Sequence, residues 1–137
     1  MTVQTTYALA RDILNHFFAG VPVTAPTALY IGLFPADPGP NGASATELSG
    51  LGAAGYARAA ISFSAPAAAP ADPGTITNNA VTFPVAGSSW GLVAWWGIFD
   101  APTAGNLLAR DSFVTSQTVS SGSTIRIPAG NLTIALP

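Results

Sequence analysis

Residues able to do chemistry are few in this sequence, and they lie far apart. His16 is the single histidine. A serine nucleophile would need it as its base, yet no G-x-S-x-G elbow occurs anywhere. Asp37, Glu47, Asp72, Asp100 and Asp111 are dispersed along the chain, and Asp37 and Asp72 stand directly before proline. Carboxylates in that setting commonly support turns. A metal ion needs several ligands converging on one point, and this spacing predicts none; a calcium site in the 35–55 loop is the one arrangement left open. There is no cysteine, so disulfides and thiolate metal sites are excluded. "GLGAAG" (50–55) is literally G-x-G-x-x-G, but dinucleotide binding needs a strand before it and a helix after it. Here a polar loop precedes and β-like "YARAAISF" follows, so a flexible turn into a strand is predicted. The sequence predicts no enzyme, no cofactor and no metal.

The large aromatic side chains carry more information. Trp90, Trp95 and Trp96 all fall within "WGLVAWWGIFDAPTAGNLLARDSF" (90–113), whose first charge is Asp100. In a strand, Trp95 and Trp96 point to opposite faces, with Leu92, Ala94 and Ile98 beside Trp96, and Val93, Gly97 and Phe99 beside Trp95. Both faces are apolar. A strand of a two-layer sandwich normally shows one face to water. One face is therefore expected in the core, and the other covered by a helix or by a second subunit. The three tryptophans could also form the sugar platform of a carbohydrate-binding module, which is retained as a reading from another functional class.

The elements that must position these residues follow from the hydrophobic period. "TTYALARDILNHFFAG" predicts one helix, about residues 5–19, with Leu9, Ile13 and Phe17 at i, i+4 and i+8 as its packing face. Thr5 or Thr6 can cap it, Gly20 and Pro22 stop it, and Asp12 and His16 are spaced as a surface pair. Afterwards the period is two. Strands are expected at 28–34, 56–64, 75–83 (two pieces about Asn78 and Asn79), 92–99, 106–113, 114–119, 124–127 and 131–136. Short strands at this spacing predict an antiparallel β-sandwich over about 28–136, a jelly-roll-like connectivity being one form of it, in a single domain covering 1–137. Two Pro/Gly/Ala-rich segments, 35–55 and 65–74, interrupt the rhythm, and loops of that length are usually functional or disordered. From the first, an arm laid over a neighbouring subunit is expected as much as disorder. Asp37, Pro38, Pro40, Leu48 and Leu51 in that arm, with Trp90, Trp95 and Trp96, are the candidate interaction residues.

Composition narrows the partners. Of 137 residues, 49% are hydrophobic and only 7% charged, with net charge −2, against about 25% charged in ordinary soluble domains. So bland a surface suits a protein covered by neighbours. The four positive charges are scattered arginines, Arg11, Arg58, Arg110 and Arg126. Nucleic-acid binding needs clustered positive charge, so none is expected. No apolar run reaches the length that crosses a membrane. Arg11 and Asp12 precede any apolar run, so no signal peptide is expected.

The order "ALYIGLFPADPGPNG", "TELSGLGAAGYARAAISF", "TITNNAVTFPV", "WGLVAWWGIFDAPTAGNLLARDSF" and "TIRIPAGNLTIAL" resembles a family of small tailed-bacteriophage proteins commonly labelled phage tail fibre protein. The resemblance covers nearly the whole chain. It departs in the length of "SGLGAAGYAR" and in the bulk of Trp95 and Trp96. It implies a virion component, with no catalytic residues to carry over. Proteins of this size and type also serve as head decoration or cement proteins. The expected function is accordingly a phage structural protein. The leading reading is a decoration protein that stabilises the capsid lattice, on the head exterior. The alternative is a tail or tail-fibre-associated protein. The expected partners are the major capsid protein or other virion proteins, and symmetric copies of the chain itself in a homo-oligomer.

Overall fold

A computed structural model describes residues 4–65 and 75–135. Most of the second Pro-rich segment, with Asp72, lies outside the described residues. The elements in chain order are β1 (Gln4–Thr5), α1 (Tyr7–Phe17), β2 (Leu29–Phe34), a 3-10 helix (Leu48–Leu51), β3 (Ala59–Ile61), β4 (Thr75–Thr77), β5 (Val81–Thr82), β6 (Gly91–Phe99), β7 (Leu107–Val119), β8 (Arg126–Ile127) and β9 (Thr133–Ala135). The fold is mainly β, antiparallel and sandwich-like, with one N-terminal helix. Its main sheet has the order β1-β7-β6-β2-β3, and two ribbons, β4-β9 and β5-β8, accompany it.

Strand β6 occupies the middle of the sheet because it is apolar on both faces. Its register with β2 pairs Leu33 with Trp96 and Ile31 with Ile98 on one face. That face carries the main core, joined by Val81, Phe83, Ile125 and Ile127 from β5, β8 and their flanks. The same register pairs Phe34 with Trp95 and Gly32 with Gly97 on the other face. There Phe34, Phe99 and Leu107 form a second, smaller core against Trp95 and Ala45. The glycine pair makes room for it. A Cβ on Gly97 would come within 2.5 Å of Leu107, and one on Gly32 within 2.7 Å of the Glu47 carboxylate.

The split at Asn78 and Asn79 forms as expected, and its cause is visible. Buried Asn78 accepts from Leu132 N (2.9 Å) and donates to Pro128 O (3.2 Å), tying the strand break to the 128–132 turn. Asn79 accepts from Ser62 N. Two expected strands, 106–113 and 114–119, are instead one strand, β7. "SFVTSQ" holds no glycine, proline, asparagine or aspartate, and β6 pairs with both halves while β7 accommodates extra residues between Ser112 and Gln117.

The helix differs from expectation in its orientation. Thr6 caps it, accepting from Leu9 N, and the same hydroxyl donates to Leu107 O and Leu108 O (3.1 Å) on β7. Tyr7 N donates to Pro40 O (3.0 Å). These anchors fix the rotation of α1, so that Leu9, Asp12, Ile13 and Asn15 are half-buried while Phe17 is 73% exposed. Phe17 therefore does not pack on the sandwich. The Asp12–His16 pair does not form either: His16 Nδ1 accepts from Val23 N (3.4 Å) at the helix exit.

Candidate functional site

The 35–55 segment is an ordered arm, and it lies on its own sheet. Asp37 Oδ1 accepts from Gly39 N (2.8 Å), which forms the first turn. Ser44 N then donates back to Pro38 O (2.8 Å). Asp37 also pairs with Arg110 of β7, whose guanidinium lies 5.9 Å from the Trp95 ring. Further along, Leu48 enters the main core fully buried. Around Phe34, Trp95 and Phe99 the arm thus lies against the outer face of its own sheet, through Ala45 and the Asp37–Arg110 pair. Of the arm's two arginine partners, Arg58 lies 11 positions from Glu47, just before β3, whereas Arg110 lies 73 positions from Asp37, on β7.

Glu47 is the polar centre of this arrangement. Tyr56 donates to its Oε1 at 2.6 Å, while the Tyr56 oxygen accepts from Leu33 N at 2.9 Å. Arg58 donates to Glu47 through Nε (2.9 Å) and Nη2 (2.8 Å). Its Nη1 reaches Ala101 O and Ala104 O, both at 2.8 Å, in the β6–β7 turn. The guanidinium also sits 3.4 Å from the Phe99 ring centroid. Arm, β3 approach and hairpin turn are therefore held at one point. Asp100 completes the turn by accepting from Asn106 N (2.7 Å) and Asn106 Nδ2 (3.0 Å). Burial raises the Tyr56 phenol well above its ordinary pKa; the Glu47 charge and the hydrogen bond to it push in the same direction. Tyr56 remains a neutral donor throughout the physiological range.

These carboxylates are therefore committed to structure. Asp37, Glu47 and Asp100 each accept two or more hydrogen bonds, and Asp111 accepts from its neighbour, Ser112 N (2.7 Å). Among the described residues, no three of His, Cys, Asp and Glu gather as metal ligands. "GLGAAG" makes the turn expected of it: Gly52 and Gly55 have φ of 72° and 77°, and a Cβ on Gly55 would come within 2.8 Å of Val85 O. A cleft of about 470 Å³ opens between β7, β8 and the 131–133 segment, over Val93 and Trp96. Its lining offers one carboxylate, Asp111, and one guanidinium, Arg126.

The candidate interaction residues separate into distinct places. Trp90 (5% exposed) and Trp96 (2%) are core residues. Trp90 Nε1 donates to Ala54 O (2.8 Å), and its ring meets Tyr56 edge-on. Trp95 is half-buried under the arm, Pro38 and Leu48 are buried, and Asp37 and Pro40 are intermediate; Leu51 is exposed. Trp90 and Trp96, buried in the core, present no sugar-binding platform. Sequence reasoning missed Tyr56, Arg58 and Arg110 as partners of the arm. The signal for the first two was present, since Glu47 is the acid nearest in sequence to "GYAR".

The exposed apolar surface lies elsewhere. On α1, Tyr7 (66% exposed), Leu14 (58%) and Phe17 (73%) face solvent, together with Phe18 (81%) just past its end and Val21 beyond. Scattered exposed apolar residues are normal, but a contiguous group marks an interaction surface.

A search of curated proteins found no match to the chain. A family does match, described as podophage GP4 fiber I protein gp80, and it aligns with residues 4–135. The aligned span contains the Glu47–Tyr56–Arg58 node, the Asp100–Asn106 turn and the whole sheet. The chain belongs to this family of phage fibre structural proteins.

Proposed function

We infer that this chain is a virion structural protein of the tail-fibre apparatus, and that it works by binding rather than by catalysis. The observation that carries the reading is the match to a fibre-protein family along residues 4–135. That match favours the tail-fibre reading over capsid decoration. The arm supports the same choice. The segment expected to clamp neighbouring subunits is tied by Asp37 and Glu47 to Arg110 and Arg58 of the same chain. The absence of catalysis is supported by the carboxylates' structural commitments. Its partners are other virion proteins and further copies of itself; two of the four arginines are held in ion pairs, which leaves little positive charge for nucleic acid.

Binding to separated phage parts tests this. Purified chain is mixed with tailless heads and with tails lacking fibres, and the bound fraction of each is quantified. Binding to tails but not to heads is the expected result. Saturable binding to heads alone would restore the decoration reading.

A further inference from the structure

The helix carries an apolar seam that the fold leaves open. Val21 lies past the helix end, beyond Gly20 at φ 67°; on α1 itself Tyr7 and Leu14 are seven residues apart, and so are Ala10 and Phe17. This is the a/d pattern by which parallel helices pack knobs into holes. All five positions are exposed, while Leu9, Asp12, Ile13 and Asn15 on the opposite side are half-buried. The helix thus turns its broader apolar stripe outward, with its polar Asp12 and Asn15 on the inner side. Such an inversion is the reverse of an ordinary surface helix. It is enforced by the Thr6 bonds to β7 and the Tyr7 bond to Pro40.

We propose that this face is a self-association surface, on which the helices of two or more copies of this chain pack in parallel about a common axis. Three observations favour copies of the chain over other occupants. The heptad spacing is self-complementary: parallel copies in register place Leu14 against Leu14 and Phe17 against Phe17. The area is appropriate. With aromatic side chains burying roughly 150–250 Å² each, Tyr7, Phe17, Phe18, Leu14 and Val21 together offer on the order of 600 Å² per copy, against about 800 Å² per partner in an interface of standard size. The charge pattern also fits. Arg11 is the only formal charge on the exposed arc and flanks the seam, so identical copies can approach without like charges meeting at its centre. A membrane is a poorer occupant, because interfacial helices carry several basic residues on the polar face, where this one has Asp12 and Asn15. The inference rests on the helix alone and is independent of where the protein sits in the virion.

Analytical ultracentrifugation of the full chain over a concentration series is the test. Wild-type protein is expected to self-associate. The double variant Leu14→Ser/Phe17→Ser is expected to weaken association by about tenfold or more while keeping its circular dichroism spectrum. Val114→Ser, at a fully exposed apolar residue on β7, should associate like wild type. Because the chain has no cysteine, Leu14→Cys offers a second readout. It should form a disulfide-linked species under mild oxidation far faster than Val114→Cys does. A wild-type chain that stays monomeric to millimolar concentration would overturn the proposal. So would association unaffected by the double variant, or a monomer whose helix instead binds phosphatidylcholine–phosphatidylglycerol vesicles in a Phe17-dependent manner.

Discussion

Removing the Glu47 carboxylate is the sharpest perturbation of the arm. In Glu47→Ala, Tyr56 loses its 2.6 Å acceptor, and Arg58 loses its bonds from Nε and Nη2. The side chains of Arg58 and Glu47 are only 8% and 12% exposed, so water does not easily replace the lost partner. Breaking a buried pair by deleting one member costs about 3–5 kcal/mol. Arg58 keeps the carbonyls of Ala101 and Ala104 and its contact with Phe99, which places the cost near the lower end, about 3 kcal/mol. For a domain of this size that lowers the melting temperature by about 10 °C. Urea denaturation, with the m-value checked for constancy, gives the free energy directly. The double variant Glu47→Leu/Arg58→Met should recover most of the loss, since replacing both ions of a buried pair by apolar groups is often neutral. A loss below about 1 kcal/mol in the single variant is what an exposed pair would give. That result would refute the claim that Glu47 holds the arm.

Other expectations follow from the same geometry. The Tyr56 pKa is raised on folding, so its contribution to stability is complete below the unfolded phenol pKa of about 10 and falls as pH rises above it, by roughly 1.4 kcal/mol per pH unit; Tyr56→Phe should flatten that alkaline limb of a urea-midpoint profile. Trp96→Ala should cost about 3–5 kcal/mol. Trp95→Ala should cost less and expose residues 38–46 to limited proteolysis, whereas equal destabilisation by both variants would mean that the outer face is as deeply packed as the inner. Phe17→Ala should change the stability of the monomer by no more than about 0.5 kcal/mol; a larger loss would place Phe17 in the core after all. Excess chelator should leave the melting temperature unchanged, and a drop of several degrees would reveal a metal site.

Local pattern made much of this fold legible. The two apolar faces of Gly91–Phe99 mark the central strand, and the paired asparagines mark the break between β4 and β5. Long-range pairing was not legible. Asp37 meets Arg110 across 73 positions of sequence, and no period in either segment announces it. The arm therefore read as a segment in need of a neighbour, when its partners were in its own chain. The helix misled for a different reason. It carries two apolar stripes, Leu9 with Ile13 and Leu14 with Phe17. Periodicity identifies stripes without saying which one faces inward. The Thr6 and Tyr7 anchors decide that, and they depend on β7 and Pro40 being in place.

The central claim is that this fold is a tail-fibre component of a phage particle. Its most direct test is the location of the chain in a three-dimensional map of the virion, with the protein tagged at a terminus so that its density is unambiguous. The account predicts density at the tail, in fibre-associated positions, and none on the capsid lattice. Tag density repeated over the head surface, with none at the tail, would contradict it.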